Sequence, residues 1–288
     1  MAAWTLFDLT YRVAREIAPI FEGVATGGST TTIIDTLRLT SIFADDWFKL
    51  GTAWILRDSA GAGAAPEKEY GRVSGFTSSS GTATLSALTT AVAAGDRYAL
   101  AGARYDLDRI IAAINMALAR IMVATEDTTT LDTAASQLEY SLPAAVLDED
   151  IEVYIQGHTG DTNANYWTQL HNWHIAETGV GVQKLLVFHA QPIASRDLKI
   201  RYYLPHTPLY VVTDKLREGV SIEQVVYNAA AILINDELSH MDSADKALGA
   251  RLSRIEETAR MWTPGSTRQS HKLATFGISD MSTSEEDL

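Results

Sequence analysis

Apolar positions along the chain change period four times, from helical to strand-like and back twice over, and each change marks a structural boundary. Leu6, Leu9, Val13, Ile17 and Ile20 recur at spacings of three and four, with Arg12, Arg15 and Glu16 on the other face. That pattern predicts a helix from about Trp4 to Phe21, opened by a capping arrangement of Thr5 with Asp8 and closed before Gly27-Gly28-Ser29. A second helix is expected from Asp106 to about Ala124 on the stripe Leu107, Ile111, Ile114, Leu118 and Ile121, with Asp106 or Asp108 as N-cap. Ser221-Ile222-Glu223-Gln224 reads as a capping box opening a third helix that runs to about Ser239. A fourth starts near Ser243 with Leu248, Leu252, Ile255, Ala259 and Trp262 in heptad-like register, and Pro264-Gly265 ends it.

Between the helices the signals are those of strands and turns. Thr31 to Ile34, Ala53 to Leu56 and Tyr70 to Val73 are short β-branched or aromatic runs, separated by small-residue loops such as Ser59 to Pro66. Leu138 to Leu142, Ile151 to Ile155, Leu185 to Phe188 and Leu198 to Tyr203 form a second set, several of them alternating. No internal repeat is present.

These elements predict an α+β chain. Each helix has a single apolar stripe, so the helices are expected to pack together as a bundle core. The expected parts are an N-terminal core helix (1–26), a first β module (27–104), a core helix (105–125), a second β module (126–215), C-terminal core helices (216–263) and an extended tail (264–288).

Charge narrows the function. With 36 acidic and 23 basic residues the net charge is −13, which disfavours a protein built to grip nucleic acid through its phosphates. The absence of cysteine excludes disulfides and thiolate metal sites. The longest apolar run, Val225 to Ile234, contains Asn228 and is too short to span a membrane, and the first residues lack a signal-peptide pattern.

Candidate chemistry is sparse. Gly61-Ala62-Gly63 lacks the Gly-Lys-Ser/Thr of a phosphate loop. His171 and His174 would point to opposite faces of a strand, which defeats chelation. Asp45-Asp46 and Asp148-Glu149-Asp150 read as solvated turns, and no nucleophile elbow occurs. The reading is therefore of a non-enzyme with no cofactor and no metal. One charge feature stands out: Lys246, Arg251, Arg254, Arg260, Arg268 and Lys272 gather in a chain that is otherwise acidic. With Trp262, Leu273 and Phe276 as apolar anchors they form a candidate partner-binding strip, leading into an arm that orders on binding.

Two stretches carry a family resemblance. Thr36 to Leu39, Asp45 to Phe48 and Gly51 to Leu56, followed by Tyr70 to Val73 and Ala94 to Tyr98, resemble β modules of tailed-phage structural proteins. Tyr140 to Pro143, Trp167 to Leu170, Trp173 and Leu198 to Tyr203, leading to Ala229-Ala230-Ala231, are similar in order to head–tail adaptor (neck) proteins. The resemblance implies a virion neck protein, assembled in the host cytoplasm into a ring of about a dozen copies with a repeating heterologous contact. Its implied partners are itself, the portal protein, a tail or nozzle protein, and double-stranded DNA that passes through the channel without specific binding, with no membrane. The rival expectations are another virion component (tail tube, baseplate or decoration protein) or a carbohydrate- or receptor-binding protein using Tyr166, Trp167 and Trp173.

Overall fold

Fourteen strands in three antiparallel sheets, with four α-helices and one short 3-10 turn at Ser78–Ser80, make up the described secondary structure of the chain. The computed structural model describes residues 4–61, 63–104, 106–134, 136–144, 146, 151–157, 166–177, 184–239 and 246–262. It divides into two compact units, one holding the residues up to Ile121 together with His206 to Trp262, the other holding Met122–Pro205.

The first unit contains α1 (Leu6–Ile17), β1 (Phe21–Val24), β2 (Gly27–Ser29), β3 (Thr32–Ile34), β4 (Thr52–Arg57), β5 (Tyr70–Thr77), β6 (Thr82–Leu85), β7 (Arg97–Ala101), α2 (Leu107–Leu118), α3 (Ile222–Ser239) and α4 (Lys246–Trp262). Its strands form one sheet in the order β1-β7-β4-β5-β6-β3-β2. Ile33, Val73, Phe76, Tyr98 and Leu100 supply much of its core. The capping box at Thr5 is formed: the Thr5 N–H donates to Asp8 Oδ2 at 2.9 Å and the Asp8 N–H to Thr5 Oγ1 at 3.4 Å.

The expected helical-bundle core is overturned. Sheet predominates, and α1 packs on α3 and α2 while Phe7, Thr10 and Tyr11 tie it to the sheet as well. The Trp54 ring N–H on β4 donates to Thr10 Oγ1 at 3.1 Å, Tyr11 tilts against the same ring, and Phe7 stacks on Tyr70 of β5. A narrow apolar stripe demands some apolar partner and does not specify a helix. The helices also meet one another: α3 contacts α1, α2 and α4. Its Val225, Val226, Ala229, Ala230, Leu233 and Ile234 are buried. Arg12 pairs with Glu223 at 3.6 Å, Arg109 with Asp236 at 2.8 Å, and Arg104 with Glu237.

Two helix ends differ from expectation. α1 stops at Ile17, because Pro19 pushes Ala18 into the extended region (φ −144°), and Phe21 begins β1 instead. α2 stops at Leu118, and the segment expected to finish it enters β8 (Met122–Asp132), the longest strand. Thr125 and Thr128 to Thr130 favour the strand, where β-branched side chains pack well.

The second unit contains β8, β9 (Glu139–Ser141), β10 (Glu152–Gln156), β11 (Trp167–Leu170), β12 (Trp173–Glu177), β13 (Lys184–Phe188) and β14 (Asp197–Pro205). They form two sheets, β11-β10-β14-β8 and β12-β13-β9. Val153, Leu198 and Ile200 of one pack with Tyr140, Leu186 and Phe188 of the other around a shared core. Along β14 the alternation expected from sequence is realised: Leu198, Ile200 and Tyr202 are buried while Lys199 and Arg201 point away.

A buried histidine fastens the segment between β14 and α3. His206 Nδ1 donates to the Thr207 carbonyl at 2.6 Å, and Nε2 accepts from the Arg217 N–H at 3.0 Å, a bond that only the neutral ring can make. Burial holds its pKa below the usual imidazole value; the Thr207 hydrogen bond opposes this, and the nearby Arg217 charge reinforces it. The linkage sign follows. A depressed folded pKa gives a contribution fully present above the unfolded value of about 6.5 and lost as pH falls through the folded value. Urea midpoints measured from pH 8 to 5 are therefore expected to fall more steeply for the native chain than for His206→Gln. Parallel curves would contradict the assignment.

Candidate assembly surfaces

The loop 35–51, between β3 and β4, is built with two faces. Leu39, Phe43 and Phe48 turn inward, where Phe48 meets Phe76 edge-on at 5.2 Å and Phe43 meets Phe21 at 5.4 Å. Leu37, Ile42, Trp47 and Leu50 turn outward, with exposures of 82, 61, 58 and 50 %. Three carboxylates fix this division. Asp35 Oδ1 accepts from the Leu37 and Arg38 N–H groups at 3.0 and 2.9 Å. Asp45 Oδ1 accepts from the Ser78 N–H at 2.7 Å, and Asp46 Oδ1 from the Phe76 N–H at 3.3 Å. The Asp45-Asp46 pair thus pins the loop to the end of β5. The Asp46 side-chain bond to Lys49, then the Phe76 bond, hold its carboxyl below the ordinary range. Ser41, Asp46 and Leu50 adopt positive φ of 60°, 60° and 68°, the sharp corners that let neighbouring residues face opposite ways.

Asp35 and Tyr98 anchor the loop from beneath. Both are fully buried, and the Tyr98 hydroxyl donates to Asp35 Oδ2 at 2.6 Å. Burial, then the Asp35 carboxylate, pushes the phenol well above its usual pKa, so it stays a donor. Asp35→Ala strands three donors and is expected to cost about 3 kcal/mol, and Tyr98→Phe about 1–2 kcal/mol. Because the two share one bond, thermal denaturation of the double variant should show a loss smaller than the sum by about 1 kcal/mol. Strict additivity would rule the coupling out.

The sequence-derived strip lies only partly within the described residues. Lys246, Arg251, Arg254, Arg260 and Trp262 belong to α4; Arg268, Lys272, Leu273 and Phe276 lie outside the described residues. Leu248, Ile255 and Ala259 are buried, which sets the facing of the helix. Arg251 is half-buried, Arg254 and Arg260 are exposed. At about 100° per residue Arg260 sits about 180° around the axis from Arg251, so the basic positions do not form one stripe. Arg254 reaches the neighbourhood of Tyr227 on α3, where Glu16, Glu223 and Arg12 also act; burial first, then the two glutamates, raise the phenol pKa. Arg260 instead lines a polar cleft with Arg120 and Glu256, a feature the sequence did not suggest.

The other candidates fall apart in space. Asp148-Glu149-Asp150 lies outside the described residues. Gly61 and Gly63, with φ of 146° and 82°, sit in the turn between β4 and β5. His171 and His174 are exposed, and His174 lies 4.9 Å from the ring of His189. Among the described residues no group of three or more His, Asp or Glu could hold a metal ion. None of the described helices is long and apolar enough to cross a membrane. Trp167 on β11 carries Lys199 over its ring at 5.1 Å. Trp173, on the other sheet, packs toward the core and donates its ring N–H to the Leu170 carbonyl at 2.8 Å, so the two indoles share no strand or sheet.

The chain matches no protein-family model and no curated protein.

Proposed function

We propose that the chain is a non-catalytic structural adaptor subunit of a tailed-phage neck, forming a ring that joins the portal vertex to the tail and lets DNA pass. One observation carries the reading: Leu37, Ile42, Trp47 and Leu50 project from a single loop that three carboxylates and an aromatic underside hold in place. Isolated exposed apolar residues are ordinary, but several presented together on a fixed loop mark a contact surface. Such a loop meeting a different surface on the next copy is the heterologous contact that closes a ring. The net charge of −13 suits a channel wall that repels DNA and lets it slide. The order of β modules and helices, which resembles phage neck proteins, supplies the setting.

Negative-stain imaging of the purified chain, alone and with portal rings from the same virion, tests this. Rings with a central channel, or portals capped by an added ring, are expected. A stable fibrous trimer that ignores the portal would sink the proposal.

A further inference from the structure

A polar cleft of ≈ 260 Å³ opens among α2, α3 and α4 in the first unit. Arg120 just beyond α2, Asn228, Ile232 and Asn235 of α3, and Glu256 and Arg260 of α4 line it. Asn228, Ile232 and Asn235 are spaced by four and three, so they present one face of α3, and Glu256 with Arg260 does the same for α4. The side chains of Arg120 and Arg260 are exposed, and neither forms a hydrogen bond or ion pair with another described side chain. Two guanidiniums against one carboxylate make the cleft locally cationic on a chain of charge −13.

The cleft is smaller than the usual pocket for a drug-sized ligand and accommodates one or two acidic side chains. Guanidinium forks bind carboxylates bidentately, and the two carboxamides offer both donors and acceptors to a peptide backbone. The chain itself contains the matching ligand. Asp280, Glu285, Glu286 and Asp287 lie in a stretch, 273–288, that has no lysine or arginine. Arg260 and Glu285 are 25 residues apart in sequence, a reach of up to about 80 Å when extended, so distance does not limit the encounter.

We propose that this cleft is a carboxylate-recognition site that receives the acidic segment Asp280–Asp287 of this chain. Docking places a charged arm on α3 and α4, covering Arg260, and leaves the loop 35–51 free for a different contact. The inference does not require the chain to be a neck protein.

The test uses the full chain with a photo-crosslinking benzoylphenylalanine in place of Ser284. Crosslinks, within one copy or between copies, are expected on the peptides holding Asn228 to Asn235 or Glu256 to Arg260. Their yield should fall about tenfold in the double variant Arg120→Gln/Arg260→Gln, since charge-assisted bonds are lost. Glu285→Gln/Glu286→Gln/Asp287→Asn should reproduce that fall with both arginines intact, which excludes misfolding of the cleft as the cause. Crosslinks elsewhere, or an undiminished yield in either variant, would overturn the site. A parallel arm uses a labelled 20-mer duplex DNA: binding that needs both arginines, with crosslinks unchanged, would assign the cleft to phosphate and also overturn it. Rings without these crosslinks remove this inference alone, whereas crosslinks in a chain that forms no ring retain it and remove the adaptor reading.

Discussion

Trp54→Ala is expected to release α1 from the sheet of the first unit and to cost about 3–5 kcal/mol, the range for truncating a large buried aromatic. The side chain is fully buried on β4, and its indole reaches a second element. Its N–H donates to Thr10 Oγ1, and that hydroxyl donates to the Phe7 carbonyl at 2.9 Å within the same helix. Removing the ring leaves a cavity beneath Tyr11 and takes away the N–H that donates to Thr10 Oγ1, so a packing loss and a polar loss fall on one place. Trp54→Phe, which keeps most of the volume, should cost only about 1–2 kcal/mol. Hydrogen exchange read by mass spectrometry distinguishes the two. Amides of α1 and β4 should exchange about 10² to 10³ times faster in the alanine variant. Unchanged exchange in α1 would mean that Trp54 does not hold it.

The second large effect concerns assembly. Ile42→Glu/Trp47→Glu changes two exposed side chains, so stability should move by no more than about 0.5 kcal/mol. At a contact each side chain is worth about 1.5–3 kcal/mol of burial, and a desolvated carboxylate adds a penalty. At the proposed contact, loss of both is therefore expected to weaken subunit association by about 10² to 10⁴. Circular dichroism should be unchanged while the oligomer dissociates. Leu39→Ala offers the contrast, because its buried side chain supports the loop from within and its loss should act on folding first.

Local rules were the most legible part of the sequence. Thr5 and Asp8 cap α1 as their spacing demands, Asp106 accepts from the Arg109 N–H to open α2, and β14 alternates as read. The errors arose where a pattern has two physical meanings. Ile121, Met122 and Val123 continue the apolar rhythm of α2, yet the threonines that follow carry the chain into β8. A one-stripe helix such as α1 shows that a partner exists without saying which; here α3 and α2 share it with the sheet residues Trp54 and Tyr70. The loop 35–51 has no period at all. Nothing in order along the chain separates Phe43 and Phe48, which turn in, from Ile42 and Trp47, which turn out; the hydrogen bonds of Asp35, Asp45 and Asp46 decide it. The basic positions of α4 were visible as composition, but their division between Tyr227 and the Arg120 cleft depends on how α4 faces α3.

The central claim, that loop 35–51 is the contact through which this chain assembles, is tested most directly by the solution mass of the native chain beside Ile42→Glu/Trp47→Glu, each with and without portal rings. The native chain is expected at a closed multiple of its 31.4 kDa subunit, alone or on the portal, and the double variant at the monomer mass in both conditions. A native chain that stays monomeric on portal rings, or an oligomer whose mass the two glutamates leave intact, would contradict it.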